Sequence, residues 1–225
     1  MPQIKAGIAW FKNQFGTQIQ AGITGTPFSL DMLSAIAVQE TFEIWGGLHN
    51  EMPADEILKL CVGDTLDAPN RSAFPKNKAE LLSVPQGDQM FAIAREALES
   101  LAPHNASYRK IANSNPNKFC HGYGIFQYDI QFFKTNPDYF LQKKWYQFDQ
   151  CLAQCVHELK AALKRAYPAG KQTLTDQEMV FVAIAYNRGS VNFAKGFKQG
   201  FKDQSGKFYG EFMSDYLQLA QSVSV

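Results

Sequence analysis

Strong net charge is missing from this chain: 22 basic side chains stand against 21 acidic ones, a formal charge of +1 over 225 residues. So even a balance argues against a nucleic-acid binder, where a basic excess is expected. It argues equally against a polybasic protein of membrane surfaces. Long apolar runs are missing too, and nothing approaches the roughly 20 residues needed to span a bilayer. The amino end, MPQIKAGIAWFKNQFG, lacks the long apolar stretch and small-residue cleavage site of a signal peptide. The expectation is a chain without a signal of its own, exported by other machinery, released by lysis, or one domain of a larger protein.

Cysteine is scarce. Cys61, Cys120, Cys151 and Cys155 are too few for a disulfide scaffold, which a chain of this length does not need. Cys151 and Cys155 stand four apart in a helical stretch and share a face. With Cys120 and His121 they offer a zinc alternative, although no Cys-x-x-Cys pair is present. A Cys61–Cys120 disulfide is a second alternative, and ordinary buried thiols are the simplest reading. No metal or cofactor is expected.

What the chain does have is apolar and aromatic bulk, 45% and 13% of its residues. That suffices for one domain over 1–225, with room for lobes. There is no internal repeat. Helical periodicity dominates, over 3–15, 30–44, 54–61, 88–102, 138–166, 176–187 and 208–221. Ser29 reads as an N-cap, and Asp31 sits in the first turn, where a carboxylate suits the helix dipole. Thr175 and Glu178 form a capping box, and Gly189 is a C′ stop. Residues 62–87 and 103–124, rich in turn formers, read as long irregular loops. No segment alternates for long, so the class is mainly α with little or no sheet.

Two helices carry information. MVFVAIAY (179–186) is apolar all round, which marks a helix buried on every side. On helix 30–44, Glu40 lies on the apolar face. At about 100° per residue, Leu33, Ile36, Ala37 and Ile44 fall within about 60° of it. A carboxyl among such neighbours loses solvation, and one that stays protonated near neutrality can act as a general acid. The plain alternative is a buried glutamate satisfied by hydrogen bonds or an ion pair. Asp31 projects about 180° away from Glu40, and Glu43 lies about 60° round from it.

Three motifs follow one another: AIAVQETF (35–42), YGIFQYD (123–129) and AIAYNRG (183–189). Their order resembles the goose-type lysozymes and soluble lytic transglycosylases: a helix ending in Glu-Ser, a Gly-Leu-Met-Gln turn, then Ala-Tyr-Asn-x-Gly on a buried helix. The resemblance implies a lysozyme-like helical domain with a cleft between lobes, framed by residues 28–190. It implies Glu40 as the acid, with Thr41 in place of the serine as a substrate-binding residue beside it. Gly124 would let backbone approach the sugar. Gln127, Tyr186 and Asn187 would bind sugar N-acetyl groups or hold Glu40. Tyr123, Phe126 and Tyr128 would offer rings to sugar faces. Asp129 would be the base of an inverting hydrolase, about 6.5–9.5 Å from the acid. Each residue also has a plain structural reading: Gly124 as a turn glycine, Tyr186 as a core residue, Asp129 as a solvated loop residue or helix cap.

The resemblance implies a monomeric, bacteriolytic muramidase that cleaves the β-1,4 bond between N-acetylmuramic acid and N-acetylglucosamine. Its partners would be peptidoglycan strands in the periplasm or cell wall, with an inhibitor or immunity protein as a further partner. A lytic transglycosylase, using the substrate's N-acetyl group in place of a base, is the rival within the class. Chitin or chitosan would be alternative substrates. A non-catalytic wall-binding module is the rival from another class. Two departures stand out. Gly124 follows Glu40 by 84 positions, far more than the few tens expected. NPNKFCHG (115–122) lacks the second aspartate of goose-type enzymes, which leaves the base open between Asp129 and an inserted Asp64 or Asp67. Cys120 beside His121 also suggests a cysteine peptidase, but sequence neighbours rarely form a nucleophile–base pair. Finally, Lys195, Lys198, Lys202 and Lys207 interleave with Phe197, Phe201, Phe208 and Tyr209. This is either a solvated basic edge or a rim that attracts anionic peptidoglycan.

Overall fold

A computed structural model describes residues 2–66 and 71–224, with the side chains of Pro2, Asp64 and Leu66 left aside. The fold is mainly α with one small sheet, and it falls into two compact units: Met1–Phe42 with Leu152–Val225, and Glu43–Cys151. Among the described residues no helix is long and apolar enough to cross a membrane.

The named elements of the first unit are all helices. Helix α1 (Pro2–Gly22) buries Ile8, Phe11, Phe15 and Ile19, one face at three- and four-residue spacing. Helix α2 (Leu30–Leu48) opens on Ser29, whose hydroxyl accepts from the Met32 amide at 3.1 Å. The chain returns to this unit within α8 (Phe148–Ala166) and continues through α9 (Asp176–Arg188) and α10 (Tyr209–Gln221). The Thr175–Glu178 capping box opens α9, and Gly189, at φ 78°, closes it. Residues Val180 to Ala185 are all buried, as an apolar surround requires. Lys12 ties three elements together. Its buried ammonium donates to Ala220 O (2.8 Å) and Val223 O (2.7 Å) at the end of α10, and it pairs with Asp31 (2.6 Å) in the first turn of α2. The dipole position read for Asp31 is thus also an ion-pair position.

The second unit holds the sheet. It runs α3 (Ala54–Leu60), β1 (Val62–Leu66), α4 (Lys78–Leu82), α5 (Gly87–Leu101) and α6 (Ala106–Ser114), then β2 (Phe119–Tyr123), β3 (Tyr128–Asp129) and α7 (Pro137–Leu141). The strands are antiparallel in the order β1-β2-β3. Helix α5 buries Met90, Ile93, Ala94, Ala97, Leu98 and Leu101 and packs on β2, α4 and α6.

Both stretches read as loops thus hold regular elements among their described residues, because polar residues there cap helices rather than break them. Asn77 accepts from the Glu80 amide to start α4, and Asn105 accepts from the Ser107 and Tyr108 amides to start α6. Arg95 of α5 then donates to the carbonyls of Ala112, Asn115 and Lys118, fixing the passage from α6 into β2. The expected element over 138–166 is α7, a short 3-10 turn (Lys144–Tyr146) and α8 in succession.

Candidate functional site

Glu40 sits in the last part of α2 that belongs to the first unit, among the buried Leu33, Ile36 and Ala37. It is partly buried, and the Tyr209 hydroxyl donates to its Oε1 at 2.9 Å. Tyr209 is the first residue of α10 and is 2% exposed. Burial first, then the Glu40 charge and hydrogen bond, push its hydroxyl well above the usual tyrosine range. A phenol so shifted stays protonated at neutral pH, so Glu40 has a permanent donor on one oxygen.

Tyr186, near the end of α9, belongs to the same cluster. Its phenol end is buried beside Cys155. Burial first, then Cys155 and the Glu40 charge, push its hydroxyl well above the usual range as well. Asn187, the next residue, is exposed; its Oδ1 would lie 3.3 Å from a Cβ added at Gly200. Glu43 is exposed.

The structure thus brings Glu40, Tyr186 and Asn187 into one unit and adds Tyr209, which sequence reasoning had placed among the rim residues. Tyr209 was visible as an aromatic in the Lys/Phe stretch. Its tie to Glu40 spans 169 positions, and no local pattern encodes that. We expect Tyr209→Phe to lower the turnover of any Glu40-dependent reaction roughly tenfold with KM within about twofold, since the hydrogen bond that orients the Glu40 carboxyl is lost. Steady-state kinetics check this; unchanged kcat would reduce Tyr209 to a prop for α10.

Thr41 does not fit a substrate-binding role. It is fully buried, and its hydroxyl donates to Ala37 O (3.3 Å), one turn back on its own helix.

The second unit holds the glycine turn. Gly124 has φ 81°, and a Cβ there would meet Cys151 Sγ at 2.7 Å, Tyr139 Oη at 3.0 Å and Trp145 Cβ at 3.3 Å. The glycine is required by the core behind it, which displaces the expectation that it opens space for a sugar. Gln127, at φ 55°, folds back so that its Nε2 donates to Gly124 O at 3.0 Å. Its Oε1 lies over the cross-strand pair Gly63–Gly122, where an added Cβ would come within 2.6 Å and 2.0 Å of it. Gln127 is therefore a fastener of the turn.

The rings expected to stack on sugar pack against other rings of the core instead. Tyr123 is fully buried, donates to Cys120 O at 2.7 Å and meets Phe140 and Trp145 edge-on. Tyr128 stacks on Phe132 and Phe140, and Phe126 lies against Phe148. All three expected stackers belong to the core of this unit.

Asp129 caps the 3-10 turn Ile130–Lys134 and is clamped. Its Oδ1 accepts from Arg71 Nη2 (2.5 Å) and the Gln131 amide (2.7 Å), and its Oδ2 lies 3.1 Å from His121 Nδ1. Burial opposes ionisation most strongly, but His121 and Arg71 together outweigh it and hold the carboxyl below the usual aspartate range. Of the alternative bases, Asp64 lies in β1, and Asp67 lies outside the described residues.

All four cysteines are free and buried, so the Cys61–Cys120 disulfide is not formed. Burial raises the Cys151 thiol to about 11. Among the described residues no three His, Cys, Asp or Glu side chains gather as a metal site would require. Cys120 and His121 are neighbours on β2 and project to opposite faces, which leaves no nucleophile–base pair there. No family model, no curated protein and no solved structure matches the chain.

Proposed function

We propose that this chain is a peptidoglycan-cleaving glycosidase of the lysozyme-like superfamily. In this reading Glu40 protonates the leaving oxygen of the β-1,4 bond between N-acetylmuramic acid and N-acetylglucosamine. The observation that carries the reading is Glu40 itself: a partly buried carboxyl on an apolar helix face, held by the Tyr209 hydroxyl and close enough to Tyr186 to act on it. A general acid needs this setting, because it must be oriented and kept from bulk water when the glycosidic oxygen takes up charge. Tyr186 and Asn187 come from the Ala-Tyr-Asn motif and supply polar groups in the same unit.

The clamp on Asp129 favours a second reading within the same class. A carboxylate held below the usual range, with both oxygens engaged by Arg71, Gln131 and His121, is a weak base. In a lytic transglycosylase no protein base is needed, because the substrate's N-acetyl group assists and the product is an anhydro sugar. Digestion of purified peptidoglycan, with products identified by mass spectrometry, tests both readings. Reducing-end muropeptides mean hydrolysis, anhydro products mean transglycosylation, and intact strands would sink the glycosidase reading.

Asp129→Asn adds a stability prediction with a definite sign. The folded-state pKa lies below the unfolded one. Its stabilisation is therefore fully present above the ordinary aspartate range and disappears as pH falls through the folded value. At pH 7 the variant should lose about 2 kcal/mol, since Arg71 is left without its carboxylate. The gap between variant and wild type should close as pH falls below about 4, the ordinary aspartate range. Melting temperatures measured from pH 7 down to about pH 2.5 check this; a gap that stays constant would mean that the clamp does not depend on ionisation.

A further inference from the structure

The lysine-rich stretch after α9 divides into two kinds of residue. Lys207 pairs with Asp215 and covers the Phe212 ring, and Lys202 lies 5.3 Å over the Phe208 ring. These two are already used. Arg188, Lys195 and Lys198 are different: they share the lining of one pocket of about 300 Å³ with Gln199, Gly200, Phe201 and Phe208. Among the described residues none of these three cations has a carboxylate partner. Nearby acids are engaged within their own loop and helix. Asp203 accepts from Ser205 and the Lys207 amide, and Glu211 accepts from the Phe208 amide.

The pocket is built rather than loose. Gln199 is 2% exposed, and its side-chain amide is fully engaged. Its Oε1 accepts from Arg188 Nη1 (3.3 Å) and the Asn192 amide (2.8 Å), and its Nε2 donates to Asn192 O (2.8 Å) and Gly196 O (2.5 Å). That network locks the 192–199 loop on which Lys195 and Lys198 stand. Gly200, at φ 86°, then lies so close to Tyr209 that an added Cβ would come within 2.5 Å of the Tyr209 Cβ. The Tyr209 amide donates to Phe201 O (2.8 Å) and the Gly210 amide to Gln199 O (3.1 Å). One tyrosine therefore joins the pocket wall at its backbone to Glu40 at its hydroxyl. Phe201 is 73% exposed, an apolar ring held in water at the pocket's edge.

We propose that this pocket is a subsite for a carboxylate-bearing peptide stem of the glycan strand, with Arg188, Lys195 and Lys198 taking the carboxylates and Phe201 covering the apolar part of the stem. The assignment rests on the glycosidase reading and names what the enzyme would select: strands with their peptides still attached. Three cations with no carboxylate partner among the described residues, around one concavity, are complementary to a ligand with several carboxylates. An exposed ring beside them matches a ligand that also carries small apolar side chains.

Calorimetry tests the proposal without requiring turnover. The probes are a soluble disaccharide-peptide from peptidoglycan, the same disaccharide freed of its peptide, and a short single-stranded oligonucleotide. Wild type is compared with a Lys195→Gln, Lys198→Gln double variant and with Phe201→Ala, all at exposed positions. The double variant should bind the disaccharide-peptide about tenfold more weakly, and Phe201→Ala a few-fold more weakly. Affinity for the bare disaccharide should not move. The peptide-dependent gain should shrink at about 0.3 M salt, where exposed charges are screened. Equal weakening for both sugars, or none for either, would overturn the subsite. So would an oligonucleotide that depends on the same lysines and outcompetes the disaccharide-peptide. If wild type binds in the expected way but cuts no peptidoglycan, the glycosidase reading falls and the subsite stands. If it cuts peptidoglycan but binds without regard to the lysines, the reverse holds.

Discussion

Glu40→Gln is expected to slow strand cleavage by about three orders of magnitude, the scale of a lost general acid. An amide has the shape of a carboxyl but no proton to transfer, so the leaving oxygen would have to depart as an alkoxide. The fold should be indifferent to the change. The Tyr209 hydroxyl donates to Oε1, and an amide oxygen accepts that bond equally well. Leu33, Ile36 and Ala37 keep the same neighbours, and a side chain of the same shape should leave the melting temperature about unchanged. Strand binding should stay within a few-fold of wild type. Glu43→Gln is the matched control, an exposed glutamate on the same helix, and it should cut strands at the normal rate. Muropeptide release by Glu40→Gln at wild-type speed would remove Glu40 from the chemistry. Binding without cleavage by wild type and variant alike would support the wall-binding module instead.

The sequence was most readable where structure depends on neighbours in the chain. Ser29, the Thr175–Glu178 box and Gly189 occupy the cap positions that their side chains favour, because capping is a matter of three or four residues. The burial of Val180 to Ala185 followed from composition alone. Reading failed where one residue type serves two purposes. Asn77 and Asn105 read as loop formers and act as helix caps, so α4 and α6 went unseen. Strands β1 and β2 were hidden because glycine occupies both sides of the pair Gly63–Gly122, which breaks the alternation that would reveal a strand. Within the site, Glu40 was legible from its place on a helix face. Tyr209 was not, because its partner is distant in sequence. Asp129 was legible as a carboxylate after a glycine turn, but not as a clamped one, since Arg71 stands 58 positions away. Tyr123, Phe126 and Tyr128 show the limit most clearly. An aromatic run beside a turn reads the same whether the rings meet a sugar or the distant rings Phe140, Trp145 and Phe148, and only the packing decides.

Gly124 provides the second large effect. Gly124→Ala should cost about 3 kcal/mol, from two sources that can be separated. A left-handed φ of 81° costs an alanine about 1 kcal/mol relative to glycine. The remainder is overpacking, about 1–3 kcal/mol when an extra carbon enters a filled core. Here that carbon would fall 2.7 Å from Cys151 Sγ, with Tyr139 Oη and Trp145 Cβ on its other sides. Those neighbours have little freedom to move. Cys151 donates to Trp145 O at 3.2 Å, and the Trp145 ring is fully buried against Tyr123. Gly189→Ala isolates the first source, because Gly189 has a similar φ of 78° and nothing within 4 Å of the added carbon. Chemical denaturation should therefore show a loss near 1 kcal/mol for Gly189→Ala and about three times that for Gly124→Ala, the latter lowering Tm by roughly 10 °C. Equal losses would mean that the turn can shift away from Cys151. The glycine would then be free to face a ligand, and the sugar-facing role inferred from the motif would regain its footing. Unequal losses would make the second motif a structural signature of this unit and leave the chemistry to Glu40, Tyr209, Tyr186 and Asn187.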